Sequence, residues 1–179
     1  GWVGPVSWAP DGKHFALWRE RVAPVRQYTV VDSLKGTKKD IPYDKPGDDK
    51  TERRPWVFAV TGEAPSTPNR EILPLTMNTD RLDWTADGRR LRSQFVKRGF
   101  TGHGIVEFSV ESRRWRPLLV EEDPKFVFTY ANRYRHDLDE NRTLWTSERS
   151  GFNQLYLVDQ TTGRTLNPVT SGPGIMKQV

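Results

Sequence analysis

Ser7-Trp8-Ala9-Pro10-Asp11-Gly12-Lys13-His14-Phe15-Ala16 returns 76 positions later as Asp83-Trp84-Thr85-Ala86-Asp87-Gly88-Arg89-Arg90-Leu91-Arg92. In each copy an aromatic residue ends one extended run and Asp-Gly supplies the side-chain cap and positive φ of a tight turn. A basic residue then opens the next apolar run. Each copy reads as strand–turn–strand. A weaker third copy is His136-Asp137-Leu138-Asp139-Glu140-Asn141-Arg142, followed by Leu144-Trp145, with Asp137 and Asp139 as turn formers.

Outward from these blocks, no window sustains a helical apolar period, and short runs rich in Val, Phe, Trp, Tyr and Leu alternate with Gly, Pro, Asn and Asp clusters. The chain is predicted to be all-β, with thirteen strands at 3–8, 13–20, 25–32, 56–60, 70–75, 80–85, 89–97, 103–110, 115–120, 126–131, 142–148, 153–159 and 164–169. Several of them are apolar on both sides. Leu155 and Leu157 oppose Tyr156 and Val158, and Tyr28 and Val30 oppose Thr29 and Val31. Such strands need cover on both faces, which radially stacked sheets supply and a two-sheet sandwich does not. Four strands per blade make about three to four antiparallel blades, fewer than the roughly 4–8 of a closed ring. The expected fold is an all-β partial β-propeller forming one domain over residues 1–179, an incomplete ring.

Residues 33–54 hold twelve charged groups in 22 positions and are expected to form a long loop; a second turn-rich loop runs from Gly62 to Asn69. The 179 residues contain 35% hydrophobic positions, but 7 Trp, 5 Tyr and 8 Phe supply large rings for a core. With no cysteine, disulfides, Cys-ligated zinc, iron–sulfur clusters and thiol nucleophiles are excluded. No run approaches the roughly 20 apolar residues of a membrane-spanning helix. The formal charge of +5 is spread through short runs such as Arg89-Arg90-Leu91-Arg92 and Arg113-Arg114-Trp115-Arg116, mostly interleaved with acids. They are expected to be solvated strand edges and turns, with Trp115 tucked inward, and nucleic acid is not an expected partner.

Three blocks, in order, resemble the N-terminal β-propeller of dipeptidyl peptidase IV, a branch of the prolyl oligopeptidase family of serine peptidases. Trp8-Ala9-Pro10-Asp11-Gly12-Lys13 is similar to that family's Trp-Ser-Pro-Asp-Gly-Lys block, with Ala9 for the usual Ser. Tyr43-Asp44-Lys45-Pro46-Gly47, followed by Trp56-Val57-Phe58-Ala59-Val60, is similar to its Tyr-Pro-rich connection between two blades. The most specific is Leu144-Trp145-Thr146-Ser147-Glu148-Arg149-Ser150-Gly151-Phe152-Asn153-Gln154-Leu155-Tyr156-Leu157, with Thr170-Ser171-Gly172 after it. Where the family continues Trp-Glu-Val, Pro173-Gly174-Ile175-Met176 stands here.

The resemblance implies an exported bacterial parent that removes N-terminal dipeptides, using Ser, Asp and His of a C-terminal α/β-hydrolase domain capped by the propeller, without a cofactor. No Gly-x-Ser-x-Gly nucleophile elbow occurs among these residues. The family's amine-binding glutamate pair belongs upstream of the first block, before Gly1. The expected partners are the peptide substrate, the hydrolase domain and, through apolar faces on the terminal blades, a second copy. By correspondence, Phe126 and Phe128 are the substrate-proximal candidates, with blade packing as the plain alternative.

Glu121-Glu122-Asp123 is expected to be a solvated turn ahead of Pro124. His103, between Gly102 and Gly104, reads as a turn, and His136-Asp137-Leu138-Asp139 as a turn rather than a metal site. Asn141-Arg142-Thr143 matches a glycosylation sequon that requires eukaryotic secretion. A free-standing propeller module binding protein or glycan is the alternative function, and a basic nucleic-acid binder a third.

Overall fold

The computed structural model describes residues 1–45, 47–79, 81–128 and 133–175. These residues form strands and turns without a helix, in three larger antiparallel sheets and one hairpin. The first sheet has the order β1 (Trp2–Trp8), β2 (His14–Arg21), β5 (Glu52–Ala59). Between β2 and β5 the chain makes the hairpin β3 (Gln27–Asp32), β4 (Thr37–Pro42). The middle sheet runs β10 (Arg114–Glu122), β9 (Gly102–Ser109), β8 (Arg90–Lys97), β6 (Thr76–Thr79), with the short β7 (Asp83–Trp84) also paired to β8. The third is β11 (Arg135–Asp137), β12 (Arg142–Ser147), β13 (Gln154–Asp159), β14 (Thr165–Pro168). None closes on itself, and the three stack in sequence as an arc of a propeller.

The repeated Asp-Gly blocks make the predicted turns. Asp11 Oδ1 accepts from Lys13 N at 2.9 Å and Asp87 Oδ1 from Arg89 N at 3.0 Å, while Gly12 and Gly88 take φ of 67° and 69°. In the third copy Asp139 caps Asn141 N and Arg142 N, both at 2.8 Å. Asp137 is not a turn former: it ends β11 and its carboxylate receives Arg135 at 2.6 Å.

Strand alternation sends the two faces of the middle sheet into two cores. Leu91, Phe95, Val106, Phe108 and Trp115 pack against Ala16, Trp18 and Val57 of the first sheet, together with Leu73 and Leu82. Ile105 and Leu119 pack on the other side with Trp145, Tyr156 and Val158 of the third sheet. Six of eight residues of β8 and seven of eight of β9 are buried, as a strand covered on both faces requires. Contact between these layers is close at Gly163, where φ is 73° and a Cβ would stand 2.0 Å from the Leu118 carbonyl oxygen, so no other residue fits.

Charged groups cross the second core. Arg92 and Glu107, neighbours on β8 and β9, are 2% and 1% exposed and bond at 2.8 Å. Arg92 also bonds Gln160, whose amide nitrogen donates to the carbonyls of Asp139 (3.0 Å) and Arg142 (2.9 Å). Arg116 joins Glu107 at 2.8 Å to the Thr161 carbonyl at 2.9 Å. The buried ion pair of the middle sheet is therefore joined to the third sheet through Gln160 and Arg116, alongside the packed rings.

Four expectations change. The 25–32 strand is not covered on both faces: β3 pairs only with β4, and Val30 and Val31 are about half exposed. The 33–54 stretch is not one loop. The Asp32 carboxylate caps Leu34 N and Lys35 N, Gly36 takes φ 64°, and the chain returns as β4; β5 then begins at Glu52. A solvent-facing hairpin needs no apolar alternation, so its charge disguised it. The strand expected at 70–75 is a turn held by Asn69, which accepts from Ile72 N and Leu73 N, and pairing starts at Thr76. Of the strand expected at 126–131, residues 126–128 are not extended into a sheet, and 129–131 lie outside the described residues.

Glu107→Ala strands the Arg92 guanidinium in the second core and is expected to cost roughly 3–5 kcal/mol in urea unfolding. Arg92→Met combined with Glu107→Leu removes both charges and is expected to recover most of that loss.

Candidate functional site

Where β10 ends and the β12–β13 turn passes, a cleft of about 600 Å3 opens between the middle and third sheets. Its wall includes Phe126 and Val127, the carboxylates of Glu121, Glu122, Asp123 and Glu148, and Arg149. The Asp123 side chain accepts from Lys125 N (2.8 Å) and Phe126 N (3.2 Å), which holds its carboxyl below the usual range and turns the chain sharply after β10. Val127 then anchors the segment: it is buried, and its N–H bonds the Phe100 carbonyl at 2.7 Å. Phe128 N donates to Glu148 Oε2 at 2.9 Å. The two flanking rings consequently stand away from the core, 47% and 48% exposed and 6.3 Å apart. Neither Phe126 nor Phe128 fills the blade interior; Val127 does.

Glu121 is not part of a solvated turn. On the last stretch of β10 it accepts from the Trp145 indole at 3.0 Å, from Ser147 Oγ at 2.6 Å and from Arg149 at 2.5 Å, and Arg149 lies over the Tyr156 ring at 4.9 Å. Glu122 points the other way to Lys97 at 3.0 Å, as adjacent strand positions must. The Glu121 cluster ties the rear of the cleft to Trp145, Ser147 and Arg149, within the block whose pattern carries the family resemblance.

His103 is also displaced from its expected turn. It sits in β9, fully buried, stacked on Trp145 at 4.8 Å with planes 12° apart, and its Nε2 is 3.9 Å from Glu121. The flanking Gly104 admits the β10 backbone, since a Cβ there would meet the Leu119 carbonyl oxygen at 2.3 Å. Burial pushes the His103 pKa down from 6.5 to about 4, with Glu121 opposing and Arg133 assisting.

The remaining candidates are structural. Trp115 is in the first core beside Phe108, as its reading required, while Arg113 reaches Glu63 at 2.6 Å and Arg116 reaches Glu107. His136 stacks near Tyr134, Asp137 serves Arg135 and Asp139 serves the turn and Arg142. Among the described residues no three metal-ligating side chains converge, and no helix is long and apolar enough to cross a membrane.

His103 sets an acid limit on stability. From pH 6.5 down to about 4 the unfolded chain takes a proton at this position and the folded chain does not. Stability therefore falls as pH falls, by roughly 3 kcal/mol across that window. Urea unfolding at a series of pH values checks this; His103→Phe is expected to flatten the slope.

The described geometry finds its likeness among peptidase propellers. Over 93% of its length the chain superposes on dipeptidyl peptidase 4 of Porphyromonas gingivalis with a TM-score of 0.67 and 19% identity, covering 24% of that chain. A Bacteroides ovatus protein described as a dipeptidyl aminopeptidase IV superposes over 88% with a TM-score of 0.59 and 21% identity, covering 23%. The chain thus spans about a quarter of the length of these structures. The family model for the dipeptidyl peptidase IV (DPP IV) N-terminal region matches residues 5–179, and the chain belongs to that family.

Proposed function

We propose that this chain is the non-catalytic propeller segment of a serine exopeptidase of the dipeptidyl peptidase IV type, one that admits peptides to a C-terminal α/β-hydrolase domain and helps hold them there. The observation that carries this reading is the family match over residues 5–179. The cleft beside Phe126 supports it. Two half-exposed rings next to several carboxylates offer an apolar wall for a side chain and a negative field for a peptide's amino terminus. Bond cleavage belongs to a serine, a histidine and an acid outside these residues.

In the full-length gene product, Phe126→Ala is expected to raise KM for a dipeptidyl 4-nitroanilide about three- to tenfold and to leave kcat within about twofold, because the ring contributes binding and not chemistry. The 179-residue chain alone is expected to release no nitroaniline above background. Turnover by the isolated chain, or a fall in kcat with KM unchanged, would count against the reading.

The same reading includes association of two copies. On the face of the first sheet that turns away from the core, rings form a continuous row: Trp8–Phe15 at 5.0 Å, Phe15–Phe58 at 5.0 Å, Phe58–Trp2 at 5.4 Å and Trp2–Trp56 at 5.9 Å. Trp2 and Trp8 are 51% and 55% exposed, and Arg19 lies between Trp2 and Trp56. An aromatic face of this kind, matched to blade-on-blade packing, favours a second copy over water. Sedimentation is expected to show a concentration-dependent mass above 20.7 kDa that Trp2→Ser with Trp8→Ser returns to the monomer.

A further inference from the structure

A second cleft, of about 630 Å3, lies where the first strands of the middle and third sheets approach each other; it is lined by Arg81, Asp83, Trp84, Gln94, Arg135 and Asp137. The peptidase reading makes no use of it. Gln94 is the informative residue. It lies on β8, is 93% buried by its 7% exposure, faces the cleft, and its carboxamide has no hydrogen-bond partner among the described residues. Its carboxamide atoms are not among the side-chain atoms sealed from solvent, so two donors and an acceptor are offered to whatever occupies the cleft.

The surroundings say what kind of ligand fits. Two guanidinium–carboxylate pairs flank the amide, one from each sheet: Arg81–Asp83 at 2.7 Å and Arg135–Asp137 at 2.6 Å, with the buried Arg92 a further 3.5 Å from Asp137. Asp83 and Asp137 are each 36% exposed at the side chain, so both carboxylates reach solvent in the cleft. The third element is Trp84, whose ring is fixed by its indole N–H bond to the Ser7 carbonyl at 3.1 Å and forms an aromatic wall. A simple anion would meet the two aspartates and a simple cation the two arginines. An apolar molecule would strip water from all four charges. A molecule with an ammonium at one end, a carboxylate at the other and an amide between them satisfies every group present.

We propose that this cleft binds a short zwitterionic peptide of dipeptide size. Its ammonium faces an aspartate, its carboxylate faces an arginine, its peptide bond pairs with the Gln94 carboxamide, and one side chain rests on Trp84. The proposal stands apart from the peptidase reading, because it concerns a different cleft and requires no hydrolysis.

The test titrates the full chain, 15N-labelled, with the dipeptide Ala-Phe and reads the side-chain amide signal that Gln94→Leu removes. That signal is expected to move and saturate. N-acetylated Ala-Phe and Ala-Phe amide, each lacking one terminal charge, are expected to bind at least about tenfold more weakly, and Gln94→Leu to bind about tenfold more weakly with an unchanged or higher melting temperature. A Gln94 signal that stays still overturns the proposal. So does equal binding of the capped dipeptides, or full affinity in Gln94→Leu.

Discussion

Arg92 and Glu107 lie side by side on the middle sheet with almost no solvent contact, and neither charge is tolerable there without the other. Their position is possible only because both faces of that sheet are covered. The first sheet closes one face with Ala16, Trp18 and Val57, and the third closes the other with Trp145, Tyr156 and Val158. The buried pair then extends outward through Gln160 and Arg116 to the turns of the third sheet. Aromatic and aliphatic side chains together fill the two cores; the polar links fix the offset between sheets, since hydrogen bonds are directional and apolar contact is not.

That offset decides what the clefts contain. With the third sheet set against β10, Glu121 meets Trp145, Ser147 and Arg149, and the segment after Asp123 is pinned by Val127 so that Phe126 and Phe128 face outward. Elsewhere along the same junction the stacking brings the Arg135–Asp137 pair beside Gln94 and Trp84. Both clefts open on the one seam between the middle and third sheets. Each therefore draws its lining from stretches far apart in the chain, and each depends on the sheets holding their stacking.

Much of the architecture was legible in the sequence because its signals are local. Asp-Gly turns at 11–12 and 87–88 declare themselves within five residues, and the apolar content of β13 calls for cover on two sides. The errors also have local causes. The β4 arm of the β3–β4 hairpin reads as part of a charged loop because a solvent-facing strand needs no apolar residues, although Asp32 and Gly36 carry the turn signal that announces it. Residues 70–75 contain enough apolar side chains for a strand, yet Leu73 reaches the core from a turn. Glu121 and His103 read as turn residues from their neighbours Pro124, Gly102 and Gly104, but the two glycines serve strand packing and Pro124 stands beyond the end of β10.

The order of the residues already carries the class and its punctuation: antiparallel strands, capped turns, a chain without cysteine, and blocks specific enough to identify the family. Those features depend on residues a few positions apart, so they are written in order along the chain. Tertiary structure alone decided which acids meet which bases, that Val127 and not its aromatic neighbours is buried, and that the Gln94 carboxamide opens onto a cleft. Arg92 reaches Gln160 across 68 positions and Glu121 reaches Ser147 across 26. No spacing rule spans such distances, because the partners are brought together by how sheets register and stack, and that emerges only when the whole arc is assembled.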